Sequence, residues 1–300
     1  MRYLNAASAT LDWATSLLEP WGSFEDAPND VGAYYKAPRA FAISGRVTEA
    51  QRVLGYVIES FFSAGDFNTG RHPAAPPSSN YRNAWLCWGA HSVGSYQISY
   101  RAADYLESTQ HPTSGGIPDC FTSMIGDRQL DWGATCAFVV AMIALGRIDA
   151  AVKAGGFLIN QMLSDQPSRT SRLLLRQDWS GSWITNYPDE SRGQHVIQIG
   201  EPAQTYWYLG IGMAALGQLY LATAERQFLN GAASIFEIVQ ECRPGALEDL
   251  TAGKVGWGAA VLYGITRDDR YADTARSVGD MLVQTQEPVG IWVRRPQIAK

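Results

Sequence analysis

The segments SGRVTEAQRVLGYVIESFF (44–62) and LGRIDAAVKAGGFLINQML (145–163) decide the architecture of this chain. Both open on Gly-Arg, align Ala50 with Ala151 and Gly55 with Gly156, and close on apolar residues. Their apolar positions recur at helical spacing, so each reads as a helix with one buried stripe, and their likeness marks a repeat of supersecondary size. The same role fits residues 5–19, 224–242 and 266–286. Acidic residues open the last of these, TRDDRYADTARSVGDMLVQTQ, where they complement the helix dipole.

The text preceding these segments is richer in small and aromatic residues: Asp30 to Ile43, Arg82 through His91 and onward, Asp131 to Leu145, Glu201 to Leu219, and Lys254 to Ile265. Small residues such as Gly133, Gly210, Gly212 and Gly258 let helices approach closely, which outweighs a propensity cost of about 1 kcal/mol per glycine. These read as inner helices and the first set as outer ones. After several outer helices comes a turn carrying glycine and then a bulky residue: PWGSF (20–24), AGDF (64–67), SGGI (114–117), SGSW (180–183) and VGIW (289–292). The expectation is an all-α fold of about eleven to twelve helices in inner/outer pairs, forming one domain over residues 1–300. HPAAPPSSN (72–80) and residues 166–200 read as rim loops, the latter with short strand-like pieces in RLLLRQ and HVIQI.

This arrangement resembles the (α/α)6 toroid, or six-hairpin barrel, of glycosidases, polysaccharide lyases, sugar epimerases and terpenoid cyclases, over essentially the whole chain. QEPVGIW (286–292) also matches once the Q-x-x-x-G-x-W repeat motif of squalene-type cyclases. That match is specific for the toroid rather than for cyclase chemistry, since the Asp-x-Asp-Asp acid motif of class II cyclases does not occur. DDRYAD (268–273) is similar to the magnesium-binding acidic motif of class I terpene synthases, but acidic residues at an outer-helix start have an ordinary capping role.

Composition bounds the function. The 300 residues are 46% apolar and 18% charged, which excludes disorder and a disulfide scaffold. A net charge of -5, from 24 basic and 29 acidic residues, provides no basic field, so nucleic acid is not an expected partner. The longest apolar run, ATCAFVVAMIALG, ends after about 13 residues, short of the roughly 20 that span a bilayer, and no membrane partner is expected. No signal-peptide pattern opens the chain, and Cys87, Cys120, Cys136 and Cys242 lack any C-x-x-C pairing, so a cytoplasmic location is expected. The sequence leaves a homo-oligomer open.

In such a ring the N-terminal ends of the inner helices converge on one mouth. Their residues supply the expected substrate-binding set: Tyr34, Tyr35, Arg82, Asn83, Trp85, Trp88, Trp132, Gln204, Trp207, Lys254 and Trp257. Aromatic faces bind sugar rings, isoprenoid chains and carbocations alike. Asp131 and Glu201, at two inner-helix starts, are the expected acid/base pair, with Asp30 in reserve and His91 as a candidate base. Both carboxylates also suit helix capping. Cys87 and His91 lie four apart with Cys136 at similar depth on the next helix, but no fourth ligand is apparent, so no metal is expected, and the absence of phosphate-cradling motifs implies no cofactor. His195 sits in the long rim segment within reach of the mouth.

The reading that follows is a metal-independent cyclase, isomerase or dehydratase acting by carboxylate acid/base catalysis on an isoprenoid- or polyketide-like small molecule. The alternatives are a glycoside hydrolase or unsaturated-uronide hydrolase using the same carboxylates, and a non-catalytic binding toroid.

Overall fold

A computed structural model describes residues 1–72, 79–120, 127–168 and 171–293. The elements run in order α1 (Arg2–Ser16), α2 (Val31–Tyr34), α3 (Ala37–Ile43), α4 (Val47–Phe61), α5 (Ser79–Ser92), α6 (Tyr96–Thr109), β1 (Gln129–Asp131), α7 (Trp132–Ala144) and α8 (Ile148–Ile159). They continue with β2 (Arg172–Leu174), β3 (Arg176–Asp178), α9 (Arg192–His195), β4 (Val196–Gln198), α10 (Trp207–Thr223), α11 (Arg226–Glu241), α12 (Gly245–Glu248), α13 (Gly253–Thr266) and α14 (Asp269–Thr285).

Helices α3, α5, α7, α10 and α13 pack side by side in that order as an inner ring, and α4, α6, α8, α11 and α14 each pack against the inner helix that precedes them. α1 completes the outer ring by packing against α14. The sequence logic is visible in burial. Outer helix α4 buries only the stripe Ala50, Val53, Leu54, Val57, Ser60 and Phe61, whereas inner helix α7 is buried from Trp132 through Met142, because it has neighbours on every side. Inner helices α10 and α13 meet backbone to backbone: a Cβ on Gly210 would lie 2.3 Å from the Lys254 carbonyl carbon.

The repeats have two joints. At the inner-to-outer joint, Gly45 and Gly146 turn left-handed, and the following arginines reach back to the preceding outer helix, Arg46 to Asp12 at 2.6 Å and Arg147 to Asp104 at 2.8 Å. At the outer-to-inner joint, the recurring turn glycine rests on the backbone of the next outer helix. A Cβ on Gly22 would lie 2.2 Å from the Arg52 carbonyl oxygen, one on Gly115 2.3 Å from that of Lys153, and one on Gly290 2.4 Å from that of Ala9. This last contact carries the end of the chain back to α1. It is reinforced by Gln286, whose Nε2 donates to the carbonyls of Ala6 and Gly290 at 2.9 Å, and by Trp292, whose indole N–H donates to Leu282 at 2.8 Å. The Q-x-x-x-G-x-W residues therefore act as a ring clasp.

Gly290 and Gly181 share nearly the same backbone angle, φ +92° and +90°, but Gly181 has open space around it. Gly181→Ala is expected to cost only the backbone term, about 1 kcal/mol. Gly290→Ala adds a collision with Ala9 and is expected to cost at least about 2 kcal/mol more, read as the difference in urea midpoints. Equal losses in the two variants would show that the clasp carries no packing strain.

Two expected helices depart from their patterning. Asp30 to Ile43 breaks into α2 and α3, because Pro38 has no N–H to donate to the Tyr34 carbonyl four residues back. The helix expected from Glu201 begins at Trp207, after a loop in which Ala203 is left-handed at φ +55° and the Tyr206 hydroxyl donates to the Glu201 carbonyl. The strand-like pieces are present: β2 pairs antiparallel with β4, and β3 pairs with β1. Of the expected 72–80 rim loop, residues 73–78 lie outside the described residues, and Ser79 already opens α5.

Candidate active site at the mouth of the ring

Three inner helices each place two residues, three apart and so on one face, toward the ring axis. These are Lys36 and Arg39 at and after the start of α3, Trp85 and Trp88 on α5, and Lys254 and Trp257 on α13. They interlock in two tiers. In the upper tier, the Lys254 amine stands 3.8 Å over the Trp207 ring and 5.5 Å from that of Tyr81, while Lys36 stands 5.0 Å over Tyr35 and 5.6 Å from Trp85. In the lower tier, the Arg39 guanidinium lies 4.3 Å over Trp88, which stacks on Trp257 at 6.3 Å. Trp85 joins the tiers, 5.5 Å from Trp88 and 6.1 Å from Trp257.

The electrostatics are unusual for a cationic cluster. Among the described residues, no ion pair joins Lys36, Arg39 or Lys254 to a carboxylate. Burial, and then the adjacent ammonium of Lys36, hold the Lys254 amine well below the usual lysine range. Burial also lowers Arg39, and its Nε is inaccessible and without a hydrogen-bond partner. The half-buried wall thus offers an amine poised to lose its proton, two fixed positive charges and a platform of indoles.

Of the eleven expected binding residues, Tyr35, Trp85, Trp88, Trp207, Lys254 and Trp257 line this mouth, and half-buried Arg82 precedes Trp85 by one turn on α5. The others are structural. Tyr34 is fully buried, stacks on Phe24 and accepts the Phe24 N–H at 2.9 Å, while burial pushes its hydroxyl up to about 12. Asn83 is sealed below the α5 surface, where it accepts the Phe67 N–H and donates to Asp66. Trp132 is core, and Gln204 braces its own loop by accepting the Gln198 N–H at 3.0 Å.

Among the described residues, none of the expected catalytic groups makes a hydrogen bond or ring contact with this cluster, although Asp131 lies close enough for its charge to act on Tyr81. Asp131 caps α7 by accepting the Ala134 N–H at 2.7 Å, and its second oxygen accepts from Arg176 Nε at 3.1 Å. Arg176 also pairs with Asp119 at 3.0 Å, and all three residues are at most 5% exposed. Burial pushes the Asp131 carboxyl up to about 6, against the pull of Arg176 and with the push of Asp119. His195 lies beside this triad, stacked on Tyr187 at 4.7 Å; burial and then Arg176 hold it down to about 4. Glu201 is exposed in the loop ahead of α10. His91 is at the far end of α5, about 18 Å of helix from its first residue, where its Nδ1 faces the Ser99 hydroxyl at 3.3 Å. Asp30 caps α2 through the Gly32 N–H at 2.7 Å.

Cys87 donates to the Ser99 carbonyl, whereas Cys136 lies near Trp132 and Asp131, so the two thiols serve different neighbourhoods. Among the described residues, no group of three or more metal-ligating side chains gathers. The same residues include no helix long and apolar enough to cross a membrane.

Lys36 was visible at an inner-helix start without being singled out, and Arg39 and Tyr81 were missed. The available signal was spacing: Arg39 follows Lys36, and Trp85 follows Tyr81, by one turn.

No protein-family model matches the chain, and no curated protein matches it by sequence. Solved structures do match. A D-mannose isomerase superposes with a TM-score of 0.75 at 13% identity, over 97% of this chain and 89% of that one. A family 76 α-mannanase from Bacteroides thetaiotaomicron gives 0.64 at 12% identity, over 97% and 87% of the two chains. A type II terpene cyclase from Scytonema, in complex with merosterolic acid A, gives 0.56 at 14%, over 97% and 82%. With its inner and outer rings and these likenesses together, the chain has the (α/α)6 toroid fold.

Proposed function

We propose that this protein is an enzyme of isomerase type that moves a proton on a small, polyhydroxylated carbonyl compound, with Lys254 as the base. The observation that carries the reading is the Lys254 amine, caged by Trp207 and Tyr81 beside the Lys36 ammonium and paired with no carboxylate among the described residues. Desolvation and a neighbouring cation are the two influences that prepare a lysine to act as a base near neutral pH. Lys254 Nζ takes the proton from the carbon beside the carbonyl. The electron pair moves onto the carbonyl oxygen to give an enediolate, the proton of the adjacent hydroxyl passes from the second oxygen to the first, and Lys254 returns its proton to the former carbonyl carbon. Indole faces suit the C–H faces of a sugar-like substrate.

Two of the same fold's members, at low identity, are a D-mannose isomerase and a sugar epimerase, which makes proton shuffling on a carbohydrate compatible with this scaffold. A carbocation route is supported less, because three basic side chains at the mouth oppose a developing positive charge. A two-carboxylate hydrolase is supported less because Asp131 is committed to its cap and to Arg176. The test is a panel of aldoses, ketoses and sugar acids incubated in deuterium oxide and followed by proton NMR. Deuterium at the carbon beside the carbonyl, in wild type and not in Lys254→Met, is the expected result. Turnover without exchange, or exchange that persists in Lys254→Met, overturns it.

A further inference from the structure

Among the described residues, no carboxylate forms an ion pair with the positive charges at the mouth. Elsewhere, half-buried arginines find acids: Arg46 reaches Asp12 at 2.6 Å, and Arg147 reaches Asp104 at 2.8 Å. Lys36 meets the faces of Tyr35 and Trp85 and the Lys254 amine, and Arg39 lies over Trp88 with an inaccessible Nε that has no partner among the described residues. A cation on an aromatic face recovers less than the cost of removing it from water unpaired. A group that supplies an acceptor at this position therefore gains two charge-assisted contacts that the fold has left open.

We infer that Lys36 and Arg39, one turn apart on the axial face of α3, form a receptor for a carboxylate or phosphate group, so that the substrate is an anionic compound such as a sugar acid or sugar phosphate. This rests on the isomerase reading for its substrate, though not for its binding site. The arrangement divides labour. The anion lies against α3, the apolar part of the substrate lies on the indoles of α5 and α13, and the reacting carbon faces Lys254.

The test uses tryptophan fluorescence of the full chain at constant ionic strength, titrated with D-glucuronate, D-glucose 6-phosphate, inorganic phosphate and neutral D-glucose. A saturable response to glucuronate points to a carboxylate, one to both phosphates points to a phosphoryl group, and glucose is silent at the same concentrations. Lys36→Met and Arg39→Met each weaken the responding anion by at least about tenfold, the worth of one charge-assisted hydrogen bond. Lys36→Arg, which keeps the charge, retains binding, and Arg101→Met, on exposed outer-helix surface, changes nothing. Thermal unfolding of each variant separates lost binding from lost folding. Glucose binding as well as glucuronate, silence from every anion, or wild-type affinity in both methionine variants overturns the inference. Anion binding without deuterium exchange removes the isomerase reading and leaves this one standing, and exchange on neutral sugars alone does the reverse.

Discussion

Lys254→Met is expected to lower kcat by about 10²–10⁴, the usual contribution of a positioned base, and at the same time to raise the thermal midpoint at pH 7. The two effects share one cause. The Lys254 amine is surrounded by Trp207 and Tyr81 and lies beside Lys36, so burial first and like charge second disfavour its protonated form. In the unfolded chain the same amine has an ordinary value near 10.4. Between the lowered folded value and the unfolded one, the unfolded state binds more protons, and stability therefore rises with pH across that window. Methionine matches the length of the lysine stem, fills the same cage and has no proton to lose, so it removes this slope and its penalty at neutral pH. Unfolding midpoints at pH 7 and pH 9.5, with kcat alongside, decide the matter. A variant that is inactive and less stable at pH 7 shows that Lys254 is a structural cation held by its aromatic cage, and the proposed base is lost with it.

The toroid was legible because its signals are periodic and local. The Gly-Arg openings of the two quoted segments correspond to a left-handed turn followed by an arginine that ties each outer helix to the one before it. Gly22, Gly65, Gly115 and Gly290 recur because each lies against the backbone of the next outer helix, where a Cβ does not fit. The mouth was legible in its aromatics for a similar reason: Trp85, Trp88 and Trp257 follow helical spacing from inner-helix starts. The catalytic carboxylates were read at the same starts, but a carboxylate there has two uses that sequence does not separate, and Asp131 went to the cap. Its fate depends on Arg176 and Asp119, which are distant in sequence and come beside it through the pairing of β1 with β3. Arg39 was not legible, because nothing local shows that an arginine has no acid beside it among the described residues. That is a property of the whole ring.

Arg176→Met is expected to cost about 3–5 kcal/mol of stability at pH 7, the usual loss on breaking a buried ion pair from one side. The guanidinium bonds Asp131 through Nε at 3.1 Å, Asp119 through Nη2 at 3.0 Å and the Gln129 side chain through Nη1 at 3.1 Å, with both carboxylates 3% exposed. Even with the arginine present, burial holds the Asp131 carboxyl up at about 6. A carboxyl whose folded value is raised contributes stability that is present below its unfolded value near 3.9 and lost as pH rises through the folded one. Wild type therefore gives up part of this contribution between about pH 4 and pH 6. Removing Arg176 takes away the influence that opposes the rise, so the deficit of Arg176→Met is small near pH 4 and grows toward pH 7. Adding Asp119→Asn and Asp131→Asn to Arg176→Met removes the stranded charges while asparagine keeps the cap on α7, and most of the loss is expected to return. The measurement is urea unfolding of wild type, single and triple variants at pH 4.5 and pH 7. A single-variant deficit equal at both pH values, or a triple variant no more stable than the single one, shows that Arg176 acts through packing and that the triad's charges are not what hold β1 and β3 against the ring.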